Sequence, residues 1–215
     1  EVHHWLSDWI EKSPVAGNRT CRIKGFLSNN ASDLRGFDIA AGILDDPDYY
    51  KVEEDDRFVL AIGTIEVKKR IATSLKERGA RFFTLVHPTA VVAGTAHLGE
   101  GVVICPFATV SANVTVDDFA MLNFYASCGH DAKVGKYCIL SPYATINGFG
   151  ILEDEVFMGT HATVIAHKRV GFRSKISANS LAASDVLPYT LVQGVPGKAW
   201  TIFSANRETG ARDDT

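Results

Sequence analysis

A small α/β unit followed by a parallel β-helix of six-residue repeats is the fold this sequence predicts. Three observations carry the prediction: an apolar residue recurs every sixth position from the mid-eighties onward, most hexads close on a small residue, and strand and helix signals alternate before residue 85.

The repeat is the strongest of the three. Cut from Leu85, the chain reads LVHPTA, VVAGTA, HLGEGV and so on to LAASDV without an insertion. The second positions are Val86, Val92, Leu98, Ile104, Val110, Val116, Leu122, Cys128, Val134, Leu140, Ile146, Leu152, Met158, Val164, Val170, Ile176 and Ala182, all seventeen apolar. With 46% of the chain apolar, chance would produce such a run roughly once in several hundred thousand sequences. Sixth positions are mostly Ala, Gly, Ser or Val, as a tight corner would require. Six residues at about 3.3 Å each make one short strand with its corner, so three hexads close a triangular coil of about eighteen residues. Stacked coils pair each strand with those above and below at about 4.8 Å and enclose a continuous aliphatic core with one inward apolar residue per side. About five and a half coils are expected.

Ahead of the repeat, Val2, Trp5, Leu6, Trp9 and Ile10 share one face of a helix over residues 1 to 12. That helix opens without a cap, which suggests that a preceding strand and turn are missing from the sequence. Strands are expected at Cys21 to Leu27 and at Arg57 to Ile62. Gly63 and Thr64 then lead into a helix over 65 to 78, with Thr64 as its cap and Gly79 as its stop, and Arg81 to Val86 runs as a strand into the first hexads. Parallel strands are expected in this unit. Ligands of such sheets sit beyond the carboxyl ends of strands, which here means Ser28, Asn29 and Gly63; an ordinary turn at the same residues is the competing reading. The expected division is 1–84, 85–200 and a polar tail at 201–215.

A formal net charge of −3 and moderate charge content describe an ordinary globular protein and give no reason to expect a nucleic-acid partner. No apolar run is long enough to cross a bilayer and the N-terminus lacks the zones of a signal peptide, so a cytoplasmic location without a membrane partner is expected. Cys21, Cys105, Cys128 and Cys138 form no Cys-x-x-Cys pair. They read as reduced thiols, mostly buried, and no metal is expected.

His130 is the residue best suited to chemistry. It takes the fourth position of SCGHDA, a polar place in a repeat otherwise built for packing, and Asp131 beside it would raise imidazole basicity. One coil on, the equivalent position is Gly148, whose N–H would lie near the imidazole as an oxyanion donor. A base and an oxyanion donor are what acyl transfer needs. A solvated corner histidine would explain the dipeptide as well. His161 and His167 take fifth positions one hexad apart and should point from different sides of the triangle. Lys168, Arg169, Arg173 and Lys175 gather positive charge on late coils, where the phosphates of coenzyme A could lie; a solvated basic face is the alternative.

Together, FVLAIGTIEVKKR, LVHPTAVV, SCGHDAKVG and the closing GVPGKAW resemble the bacterial sugar O- and N-acetyltransferases of the NeuD and PglD type, over nearly the whole chain. The resemblance implies a left-handed β-helix, a Rossmann-like nucleotide-sugar-binding domain lacking its first strand here, and homotrimers with active sites between subunits. It implies acetyl transfer from acetyl-coenzyme A to an amino group of a nucleotide-linked sugar, with His130 as base and Asp131 tuning it. Backbones near Gly148, Thr160 and Ala178 would line the coenzyme channel, and Ser28, Asn29 and Gly63 would approach the acceptor. Members of the family normally open with a strand and a glycine-rich turn that precede the position of Glu1. Ile139 is expected to line the coenzyme as well; it falls where some relatives carry a second histidine near the acetyl group, so that contact does not carry over. Sugar O-acetylation, a γ-carbonic-anhydrase-like metal hydratase and a non-catalytic scaffold are the other readings; the hydratase suffers from the separation of His130 and His167 by about two coils.

Overall fold

The computed structural model describes residues 1–12 and 21–202. Of the expected tail at 201–215, residues 203 onward lie outside the described residues.

From Leu85 the hexads fold as expected. Strands β3 (Leu85–Val86) to β19 (Leu181–Ala182) recur every six residues, two residues each, and every third strand pairs in parallel. The register is eighteen residues throughout: Cys128 faces Ile146 on one side and Val110 on the other. Three sheets of six, five and eight strands result among the described residues. The eight-stranded one gains β20 (Thr190–Gln193), parallel to β18 (Lys175–Ile176), and β21 (Lys198–Thr201), antiparallel to β20.

The interior differs from expectation in one respect. Second positions such as Ile104, Leu122, Leu140 and Ile146 are fully enclosed, but so are the small sixth residues Ala108, Ala126 and Ala144, which share the same core. The sharp turn lies one residue earlier, at the fifth position. Every fifth position from Gly101 (φ 67°) to Asn179 (φ 53°) is left-handed, and all but the first carry a side chain. Such a backbone costs a non-glycine residue about 1 kcal/mol or more. The coil below offsets it: each of these N–H groups from Phe119 on donates to the fourth-position carbonyl one coil back, as from Asp131 to Ala112 at 2.9 Å and from Phe149 to His130 at 3.0 Å. Small sixth residues are therefore selected by the enclosed space behind the corner.

Three edges result, distinguished here by their fifth positions: Phe107, Tyr125, Tyr143 and His161 on the tyrosine edge; Phe119, Tyr137, Glu155 and Arg173 on the domain edge; and Asn113, Asp131, Phe149 and His167 on the His130 edge.

The N-terminal segment packs where the coils offer apolar rows. Helix α1 (Val2–Lys12) lays Val2, Trp5, Leu6 and Trp9 over Leu85, Val103, Cys105 and Met121, the outward first positions of one sheet together with their neighbour. Helix α2 (Ile65–Glu77) buries Ile71, Ala72 and Leu75 against Leu60, Phe82 and Phe119 of the domain edge. Lys68 Nζ donates to the Phe119 carbonyl at 3.0 Å inside that contact. Helix α2 ends as expected: the N–H groups of Ala80 and Gly79 return to Leu75 and Lys76, with Gly79 at φ 86°. Thr64 sits at the cap position without a side-chain hydrogen bond to the helix, a correction to its expected role.

The expected strands are shorter than their apolar runs. Strand β1 is Phe26–Leu27 and pairs in parallel with β2 (Ile43–Asp45), which was not expected; the 57–62 run contributes one parallel bridge, Phe58 to Phe82. Side-chain packing around Phe58, Leu60 and Ile62, rather than a ladder, holds this run in place.

Candidate active site

The His130 edge collects the polar groups. Strand β10 (Ser127–Cys128) ends short of the corner at Asp131, and His130, just before that corner, leaves the tube with its side chain 61% exposed. Its Nδ1 lies 2.9 Å from Asp131 Oδ2. Asp131 can only accept when ionised, which makes Nδ1 the protonated nitrogen and leaves Nε2 with its lone pair. Asp131 Oδ1 accepts a second bond, from Asn113 Nδ2 at 3.1 Å. These bonds, His130's first and then Asn113's, hold the Asp131 carboxyl below the ordinary carboxylate range.

Gly148 lies directly beneath the imidazole. A methyl group at position 148 would sit 2.8 Å from Nε2 and 2.9 Å from Cε1 of His130, so the ring occupies the space a side chain would need. Among the described residues the Gly148 N–H donates to no carbonyl or side chain, while its carbonyl accepts from the His167 N–H at 3.0 Å. The ring of Phe149 meets His130 edge-on at 5.2 Å and stacks on His167 at 4.8 Å. One nitrogen base, one glycine N–H and an aromatic wall thus meet at an open corner, a set able to take a proton and to stabilise a developing oxyanion.

The other expected site residues are not all brought here. Thr160 and Ala178 precede His161 and Asn179 on the tyrosine edge, two hexads round the triangle from Gly148. Within one chain they share no corner with His130. Ile139 is 5% exposed in the row of Met121 and Phe157, on a different side of the tube from His130. Lys168 follows His167 on the His130 edge, but Arg169 is ion-paired with Glu153 at 2.7 Å. Arg173 stands on the domain edge with its Nε 2.9 Å from Glu155. The four late cations therefore form no single basic face, because glutamates one coil earlier draw two of them aside. His161 stacks on Tyr143 and His167 on Phe149, on separate edges as expected.

Ser28 follows β1, its hydroxyl bonded to Asp33 and its N–H to the Asp45 carbonyl at 3.0 Å. Asn29 and Gly63 are exposed. Leu27 and Ile62, the residues just before these turns, both pack against the apolar cluster of Leu60, Ile71, Leu75 and Phe82. Sequence reasoning missed Asn113 and Phe149. Both were readable by stepping eighteen residues either way from Asp131.

No family profile matches the chain. Among curated proteins it is 32% identical over 107 residues to GDP-perosamine N-acetyltransferase of Escherichia coli O157:H7, covering 50% of this chain and 48% of that one. It is 27% identical over 135 residues to the acyl-[acyl-carrier-protein]–UDP-N-acetylglucosamine O-acyltransferase of Agrobacterium fabrum, covering 53% and 49%. The chain spans about half the length of these relatives. Among solved structures, PerB from Caulobacter crescentus, in complex with CoA and GDP-perosamine, superposes with a TM-score of 0.79 at 23% identity over 91% of this chain and 92% of that one. The fold is shared with PerB: a left-handed parallel β-helix preceded by a small α/β unit. Two further structures share this fold. WeeI from Acinetobacter baumannii gives 0.78 at 20% identity, over 92% and 94%. The acetyltransferase domain of PglB from Neisseria gonorrhoeae, in complex with acetyl coenzyme A, gives 0.72 at 22%, over 83% of each chain.

Proposed function

We propose that this hexapeptide-repeat protein transfers an acetyl group from acetyl-coenzyme A to the amino group of a nucleotide-linked amino-sugar, with His130 as the base. The observation that carries the reading is the contact of His130 with both Asp131 and Gly148 at one open corner. Similarity to GDP-perosamine N-acetyltransferase supports the acceptor class.

In this reading His130 Nε2 takes a proton from the attacking amine while Asp131 holds Nδ1–H and balances the imidazolium. The Gly148 N–H donates to the thioester oxygen as it becomes an oxyanion. His130 then returns the proton to the departing thiolate. Ser28, Asn29 and Gly63 approach the nucleotide-sugar, and Lys168 and Arg169 the coenzyme's phosphates.

Thr160 and Ala178 serve the same coenzyme only if another subunit brings its tyrosine edge to the His130 edge, and a homotrimer with shared sites does this. The flat face between the two edges supports it: Thr109, Ser127, Thr145 and Thr163 line the face. Phe107, Tyr125 and Tyr143 on one side and Phe149 on the other are 43–51% exposed. A cytoplasmic location belongs to the same reading; the described residues contain no helix long and apolar enough to cross a membrane.

The test is release of free thiol from acetyl-coenzyme A against a panel of nucleotide-linked 4-amino-sugars and sialic acids, with native protein and His130→Ala. Turnover on an amino-sugar that falls by roughly two decades or more in the variant is expected. Turnover of His130→Ala near the native value would overturn the base assignment, and turnover only on hydroxyl acceptors would overturn the acceptor class.

A further inference from the structure

The edge that carries His130 begins two coils earlier than the histidine. Thr95, Asn113 and Asp131 occupy three successive fifth positions, eighteen residues apart. Thr95 Oγ1 accepts the Asn113 N–H at 3.0 Å, and Asn113 Nδ2 reaches Asp131 Oδ1 at 3.1 Å. Asp131 Oδ2 is then the oxygen that meets His130 Nδ1 at 2.9 Å. We propose that Asn113 is a positioning residue for the His130 base, occupying one oxygen of Asp131 so that the other is fixed on Nδ1 and Nε2 is held bare over Gly148. The inference rests on the acetyl-transfer reading for its kinetic consequence, though not for its geometry.

Three features favour a positioning role over corner packing. The amide's donor end must face Asp131, because an ionised carboxylate offers only acceptors. Asparagine tolerates the left-handed backbone at φ 60° better than most residues, yet neighbouring fifth positions accept Phe and Tyr there, so the corner does not require it. Without Asn113 the Asp131 carboxylate would be held by the exposed His130 ring alone, and its bond to Asn113 gives it a second anchor that fixes its χ2. The groups facing His130 are Asp131 from its own hexad, Gly148 and Phe149 from the next coil, and His167 beyond Phe149. Asn113 therefore governs the ring through Asp131.

Asn113→Asp keeps the shape and the backbone tolerance but replaces a donor with a second carboxylate. Asn113→Ala removes the contact. The histidine ring signals of isotope-labelled protein are titrated by NMR, with His130 assigned by its loss in His130→Ala, and kcat and KM are measured across pH. Asn113→Asp should raise the His130 titration midpoint by about half a unit or more, since a second negative charge favours the imidazolium. The acid limb of kcat/KM should move to higher pH with it. Asn113→Ala should lower kcat roughly tenfold with KM for acetyl-coenzyme A within about twofold. A His130 titration unmoved in Asn113→Asp, or native kcat in Asn113→Ala, would overturn the proposal. The titration reads the geometry without turnover: a moved midpoint alongside full activity of His130→Ala would sink the base assignment and leave the Asn113 contact standing.

Discussion

Two edges of one tube share a backbone and differ in what they carry. On the tyrosine edge, Phe107, Tyr125, Tyr143 and His161 stack face to face, centroids 5.1, 4.9 and 4.7 Å apart and rings within 15° of parallel. Coil spacing of about 4.8 Å suits ring stacking, so a left-handed corner filled with aromatics is the favourable default for this fold. The His130 edge obeys that default only at its late end, where Phe149 stacks on His167. Earlier it carries Thr95, Asn113 and Asp131, linked by hydrogen bonds, and His130 stands where the polar run meets the rings. The proposed site coincides with a departure from the packing that the repeat would otherwise favour.

If the tube is shared scaffolding and the edges carry function, the largest loss of stability should come from the interior. Leu140 is fully enclosed at a second position, and Leu140→Ala should cost about 2–5 kcal/mol of unfolding free energy, read by denaturant titration. A loss under about 1 kcal/mol would mean the interior is not the common support.

Gly148→Ala should do the reverse. The glycine backbone is not left-handed and the melting transition should hold, but the new methyl would meet His130 Nε2. Displacing a base by about 1 Å costs on the order of a hundredfold in turnover. Native turnover in this variant would show that the ring and Gly148 do not work together.

The domain edge supplies the next test. Burial pushes the Lys68 ammonium down to about 8 from 10.5, against an opposing pull from Cys105 and then Cys138. Between those two values the unfolded chain binds more protons than the folded one, so Lys68 makes stability rise with pH from about 8 to 10.5, by up to about 3 kcal/mol. Lys68→Met should flatten that rise, seen as the difference between the two proteins' melting curves across the window. An unchanged slope would mean that Lys68 is hydrated and that α2 docks more loosely on Phe119.

How much of this was legible in the sequence depended on the range of the interactions. The coils pair neighbours at a constant offset, so a count of sixes placed every strand from Leu85 to Ala182 and brought Gly148 to His130. The same arithmetic along the fifth positions leads to Asn113 and Phe149, which were missed. Before Leu85 no period exists. The run at 57–62 was apolar enough for a strand, but its residues are held by packing against α2 and Phe82, a tertiary preference that local propensity does not contain. Placing Thr160 and Ala178 beside Gly148 called for a different kind of information. In the proposed trimer their relation would be set by how edges of separate subunits meet, which no pattern within one chain encodes.

The smallest effect gives the cleanest contrast between the two edges. Phe107 and Phe149 are matched: each is about half exposed, each takes a left-handed fifth position, and each has one parallel partner, Tyr125 at 5.1 Å or His167 at 4.8 Å. Replacing either by Ala loses one stack and should cost about 1 kcal/mol, with nearly equal shifts in the denaturation midpoint. Turnover should separate them. Phe149→Ala also removes the wall against which His130 rests, and lets the imidazole swing away from Gly148, so its kcat should fall several-fold while that of Phe107→Ala stays within about twofold. Equal losses of activity in the two variants would mean that Phe149 acts on the tube as a whole, and that the boundary between the polar run and the rings has no part in holding the base.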